Sequence, residues 1–203
     1  MRNFERLNSF LDARLKDIYP EPDIEPGISI TKLTVPKLIQ THKIKPGAKI
    51  LDVGCGHGHA LRAFRQEGCE AIGIGFGEEA ENARKDGFEI IEEDMSFSNL
   101  PDAEFDLVWC RHVLEHSLFP YFTLNEMFRI LKANGVFYME VPAPETSCHH
   151  EANQNHYSVL SKNGWNSLLY RTGFEKIISY DIDFEVTTGP DKYYAYHCIK
   201  PAQ

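Results

Sequence analysis

The chain has 203 residues, 42% of them hydrophobic, with 21 Lys and Arg against 30 Asp and Glu and a formal net charge of -9. That is enough apolar material for one good core and too short for two full domains, and an acidic surface argues against nucleic acid or an anionic membrane as the main partner. No run approaches the roughly 20 apolar residues that span a bilayer, and the opening MRNFERLNSF lacks the apolar centre of a signal peptide, so a cytoplasmic location is expected.

In chain order, Phe4, Leu7, Phe10, Leu11 and Leu15 fall at helical spacing. A Pro-rich break (YPEPDIEPG) follows, then a second such set in Ile30, Leu33, Val35, Leu38 and Ile39. Residues 1–45 therefore read as an N-terminal helical cap. Over 46–142 the pattern changes to β-rich runs at 49–53, 70–74, 88–92, 105–110 and 135–141, separated by helical stretches at 60–66, 78–85 and 121–132. Gly68, Gly87 and Gly135 stand where those helices should end. Alternating strand and helix predicts βαβ units and a mainly parallel sheet.

Residues 143–203 read as the substrate side. The polar stretch PAPETSCHHEANQNHYS is long for an idle connection and suggests a lid. Ser161 is placed to cap a helix running through Trp165, Leu168 and Leu169 to Gly173. Residues 174–185 and 192–200 then alternate as two strands joined by TTGPD. The expectation is a single α/β domain with a doubly wound, Rossmann-like, seven-stranded sheet whose last strand is antiparallel. Five scattered cysteines without a Cys-x-x-Cys pair are read as reduced thiols, and nothing in the sequence sets the oligomeric state.

The strongest motif is LDVGCGHGHAL, an apolar strand running into Asp52, then Gly54, Gly56 and Gly58 in alternation, then a helix. Glycines at that junction let the backbone turn sharply and approach a ligand, with the positive helix end aimed at it. The Gly-Lys-Ser/Thr of a phosphate-binding loop is absent, and the spacing is Gly-x-Gly-x-Gly in place of the dinucleotide Gly-x-Gly-x-x-Gly. With Asp52 before it, the run resembles motif I of class I S-adenosylmethionine-dependent methyltransferases. EEDM (92–95), PDAEFDLVWCRHVLEH (101–116) and FRILKANGVFYMEVP (128–142) resemble that family's later segments in the same order.

The resemblance implies S-adenosylmethionine as cofactor and S-adenosylhomocysteine as product. It assigns Asp52, Gly54, Cys55, Gly56 and Gly58 to the methionine half, and Asp94 with Met95 to the adenine. The family's acidic residue at the end of the second strand is replaced by Gly75, leaving Phe76 to stack on the ligand and the ribose to Glu78 or Glu79 from the next turn, or to backbone and water. Cys110-Arg111-His112 follows the fourth strand, which puts Arg111 on the cofactor side and His112 near the transferred methyl group.

Methyl transfer from a sulfonium is an in-line displacement, accelerated by alignment and, for a protonated acceptor, by a base. His112, and His116 a helical turn later, are the catalytic candidates. His149, His150, His156 and Tyr157 are candidates for substrate contact. The spacing HHEANQNH matches no common zinc pattern, so no metal is expected. The activity implied is methylation of an oxygen or nitrogen on a small, sugar-like acceptor, without nucleic-acid or membrane partners. Two rivals are a non-catalytic ligand-binding or regulatory protein on the same fold, suggested by Gly75, and an enzyme using a modified sulfonium or another nucleotide cofactor.

Overall fold

The computed structural model describes residues 4–14, 25 and 27–202. Leu15 and most of the Pro-rich break lie outside the described residues. Two helices come first, α1 (Glu5–Arg14) and α2 (Gly27–His42). The core follows as β1 (Lys49–Val53), α3 (His59–Gln66), β2 (Glu70–Ile74), α4 (Gly77–Lys85), β3 (Ile90–Ile91), β4 (Phe105–Arg111), α5 (Pro120–Ile130) and β5 (Leu131–Pro142). It closes with α6 (Lys162–Thr172), β6 (Glu175–Val186) and β7 (Gly189–Ile199). Single 3₁₀ turns occupy Leu114–His116 and His150–Ala152.

The seven strands form one sheet in the order β3-β2-β1-β4-β5-β7-β6. β1 through β5 pair in parallel, and β7 runs antiparallel to both β5 and β6, as the sequence led us to expect. Strand alternation sends successive side chains to opposite faces. Leu51, Val53, Val108, Cys110, Phe137 and Met139 pack against Leu124, Met127 and Ile130 of α5 and Trp165 and Leu169 of α6. Ile50, Leu107, Trp109, Val136 and Tyr138 pack against Val35 and Leu38 of α2 and Phe64 of α3. By the same parity Asp52, Arg111 and Glu140 share the α2 side at the carboxyl end of the sheet.

Several boundaries differ from those read in the sequence. β3 keeps only Ile90–Ile91 of the expected 88–92, because this edge strand pairs with β2 through two register positions. The fourth helix-strand unit differs most. α5 stops at Ile130 and β5 begins at once, with Leu131 opposite Phe105, instead of a helix to 132 and a strand from 135. The helix is cut short because its last carbonyls are taken elsewhere. Ala103 and Glu104 amides donate to Arg129 and Ile130, and the Lys200 ammonium donates to Phe128 and Leu131 at 2.7 Å each. Asn134 (φ 62°), and not Gly135, takes the left-handed position at this junction.

At the other end Val186 pairs with Gly189, so the hairpin turn is Thr187-Thr188 and Gly189, Pro190 and Asp191 belong to β7. Ser161 caps α6 by accepting from the Gly164 amide, and Gly173 (φ 102°) terminates it, as expected. All five cysteines are free thiols. Among the described residues no helix is long and apolar enough to cross a membrane.

Candidate functional site

A cavity of about 370 Å³ opens at the carboxyl ends of the first four strands, the position where a doubly wound sheet offers its ligand crevice. Its floor is the glycine loop. Asp52 is 3% exposed, and burial pushes its carboxyl up to about 8, with the Arg111 guanidinium pulling the other way. Gly54 has φ 71°, and a Cβ there would collide with Val113 Cγ2, so the turn admits only glycine. Gly56 (φ 45°) lines the cavity beside Cys55 and His57. Gly58 does not. It stands before α3 with its hydrogen facing Ala83 Cβ, where an added Cβ would lie at 3.0 Å, and serves the packing of α3 on α4. Gly58, expected in the methionine pocket, thus lies outside the cavity lining.

The second wall explains the missing acid. A Cβ at Gly75 would come within 2.8 Å of Cys55 Sγ, and one at Gly73 within 2.7 Å. The Cys55 side chain thus fills the space that a residue larger than glycine would need at the end of β2. Burial pushes the Cys55 thiol up, which keeps it neutral. Phe76 lines the cavity just before α4, and of the two acids that follow, Glu79 does so and Glu78 does not. Glu79 Oε1 lies 3.8 Å from His57 Nε2, which places its carboxylate over the Gly56–His57 turn.

Asp94 and Met95 form the third wall. One Asp94 oxygen accepts from the Ser96 amide at 2.8 Å, so this side chain also braces its own turn. On the fourth wall Arg111 donates to buried Glu140 at 2.8 Å and reaches Thr31 Oγ1 and the Gly27 carbonyl, tying the start of α2 to the sheet. Leu11, Arg14 and Ile28 complete this side, so both α1 and α2 line the cavity.

His112 (φ 56°) sits between two buried carboxylates, with Nε2 3.2 Å from Glu140 Oε1 and Nδ1 3.6 Å from Glu115 Oε1. Burial raises the Glu140 carboxyl, but the bonds from His112, the Arg111 charge and the Tyr138 hydroxyl outweigh it and bring it down to about 2. His116 also lines the cavity, with Nδ1 2.9 Å from the Asn155 carbonyl oxygen.

The lid divides. Asn155 and Tyr157 reach the cavity. His149 is exposed and His150 turns away to Asp191 at 3.0 Å, so neither lines it, contrary to expectation. His156 stands behind the wall, edge-on to His116 with ring centroids 4.8 Å apart. Trp165 is wholly buried in the core. Glu140 and Glu115 went unassigned in the sequence reading. Glu140 had a usable signal, a lone acid within the apolar run GVFYMEV, whereas Glu115 follows a strand where acids are ordinary.

The sequence profile of a methyltransferase-domain family matches residues 32–188. The chain belongs to the class I S-adenosylmethionine-dependent methyltransferase family. Among curated relatives, a ubiquinone biosynthesis O-methyltransferase of Methylococcus capsulatus is 32% identical over 110 residues, covering 50% of this chain and 46% of that one. A glycine/sarcosine/dimethylglycine N-methyltransferase of Actinopolyspora halophila is 29% identical over 181 residues, 82% of this chain and 31% of that one. This methyltransferase-family chain spans less than half the length of either relative. In three dimensions, a SAM-dependent methyltransferase from Archaeoglobus fulgidus shares the fold, with a TM-score of 0.68 at 19% identity over 84% of this chain and 94% of that one.

Proposed function

We propose that the chain transfers a methyl group from S-adenosylmethionine to an oxygen or nitrogen of a small polar acceptor. The observation that carries this reading is a buried Asp52 at the floor of a cavity lined by Gly54, Gly56 and Gly75, its carboxyl raised by burial. A carboxyl raised by burial is stabilised as its anion when a cation arrives, and the ammonium of a methionyl group is such a cation. The residues present fit the cofactor. Asp52 with the Gly54–Gly56 turn would hold the methionyl end, Glu79 would accept from the ribose in place of the acid missing at Gly75, and Asp94 and Met95 would flank the adenine beside Phe76. The cofactor supplies an electrophilic methyl on a cationic sulfur.

Every other requirement falls to the protein. α1 and α2 line one side of the cavity. Arg111 and Glu140 fix the backbone after β4, and His112, whose nitrogens both face carboxylates, is suited to positioning rather than to accepting a proton from substrate. His116, Asn155 and Tyr157 are left as the acceptor's wall. One curated relative named as an O-methyltransferase and another named as an N-methyltransferase support either accepting atom. Titration calorimetry with S-adenosylmethionine, S-adenosylhomocysteine and NAD tests the reading. Saturable binding of the two sulfur ligands and none of NAD is expected; silence from both sulfur ligands would remove it.

A further inference from the structure

Glu115 is 1% exposed, yet neither of its carboxylate oxygens has a hydrogen-bond partner among the described residues. His112 Nδ1, at 3.6 Å, pairs with it electrostatically but lies beyond hydrogen-bonding distance. Ionised or protonated, a carboxyl group buried there has polar atoms that no hydrogen bond satisfies, so the site calls for a further group. Two imidazoles surround it. One donor atom from each of Glu115, His116 and His156 falls within 4.8 Å of the others.

The tautomers of both histidines are set by the main chain. His116 Nδ1 is 2.9 Å from the Asn155 carbonyl, and His156 Nδ1 is 3.0 Å from the His150 carbonyl. A carbonyl only accepts, so both Nδ1 atoms carry hydrogen, and in the neutral imidazole the lone pair is then on Nε2. A backbone carbonyl behind each imidazole is the usual support of a metal-bound histidine. The two contributing segments are also fastened together, since Ser158 donates through its amide to the Glu115 carbonyl at 2.9 Å and through its hydroxyl to the Ser117 carbonyl at 2.7 Å.

We propose that Glu115, His116 and His156 bind one divalent transition-metal ion, of the zinc class, in the wall of the cavity. Two imidazoles and one carboxylate are a donor set that zinc takes while keeping a coordination position open. Zinc bonds of about 2.0–2.1 Å require the three groups to draw together slightly from their present spacing. Of the three ligands His116 lines the cavity, so a coordination position left open on that side would be within reach of the acceptor. Resting on the methyltransferase reading, this narrows the acceptor to one presenting a hydroxyl or enol oxygen. The ion lowers that oxygen's pKa and its proton leaves to water. The oxygen lone pair then forms the new O–C bond as the S–C bond breaks, and the electron pair stays on sulfur as a neutral thioether. This revises the expectation of no metal drawn from spacing alone, which could not reveal that Glu115 and His156 meet.

A second cluster, Cys148, His150 and Asp191, serves as the control. There the carboxylate is already satisfied by His150 and by the Lys192 amide. Tag-free protein, stripped with a chelator, is titrated with Zn²⁺ by calorimetry and with Co²⁺ by visible absorption. One ion per chain is expected, bound at least tenfold more weakly by Glu115→Gln and by His156→Gln and unchanged in Cys148→Ser. His156 is only half-buried, so its variant decides the matter if Glu115→Gln fails to fold. Acetohydroxamate, a small oxygen chelator, should shift the Co²⁺ spectrum, and no shift would overturn the acceptor-binding role. The site is overturned if stripped protein takes up no ion, or if Cys148→Ser loses the ion while the other two variants keep it. S-adenosylhomocysteine titration of the same samples reads the cofactor pocket separately, so a failed metal site and a failed methyltransferase reading give different results.

Discussion

Cys55 and Gly75 exchange space. The glycine at the end of β2 departs from the family pattern, which has an acidic residue there. The packing argues against restoring that acid alone, because a Cβ at position 75 meets Cys55 Sγ at 2.8 Å. Gly75→Asp alone should weaken S-adenosylhomocysteine binding and destabilise the fold by about 1–3 kcal/mol through overpacking. Adding Cys55→Gly should recover much of both losses. A double-mutant cycle read by calorimetry and urea unfolding checks this, and additive effects would mean that the two positions do not compete. That Asp52 and the glycine turn lie together at the end of β1 was legible in the sequence because these residues are adjacent. The choice of Glu79 over Glu78, and the meeting of Glu115 with His156, depend on where separate segments come to rest.

At the level of elements, strand and helix order was readable because apolar periodicity reports burial, and Ser161 and Gly173 announced the ends of α6 through local chemistry. The α5–β5 junction was not. The run Ile130-Leu131-Lys132 suits either helix or strand, and the decision is made by Lys200, from the end of β7, together with the 103–104 amides. Lys200 is 8% exposed, and burial pulls its ammonium below its ordinary pKa, a cost offset by the carbonyls it serves. Lys200→Met should leave the Phe128 and Leu131 carbonyls without their ammonium donor and cost about 2 kcal/mol. Urea unfolding of the variant measures the loss, and an unchanged midpoint would show that water replaces the ammonium without penalty.

Across the whole molecule, half-buried His197 and buried Asp52 pull the pH dependence of stability in opposite senses. His197 lies 2.8 Å from His42 and is held down at about 4, by burial first and then by the facing His42. The unfolded chain therefore binds the extra proton between about pH 6.5 and 4, and stability falls as acid is added through that window. Asp52 works the other way. Its folded carboxyl, at about 8, holds a proton that the unfolded chain has already lost, so its contribution falls as pH rises from about 4 to 8. Between pH 4 and 6.5 the two oppose each other, and above 6.5 only the Asp52 effect remains. Ligand-free protein should lose stability from pH 6.5 to 8, and Asp52→Asn should flatten that decline. Denaturant midpoints across the range test it, and a parallel decline in the variant would assign the effect elsewhere.

The strand order β5-β7-β6 places a later strand inside the sheet, between two made before it. While the chain is being synthesised, the long apolar β5 therefore has a hydrogen-bonding edge with no occupant until β7 arrives. β6 can lie beside that edge first only by taking a place it must later give up. The hairpin thus has to form as a unit and dock as a unit, and a newly made chain is most exposed to sticking to its neighbours in the interval between the completion of Val141 and the arrival of Tyr196.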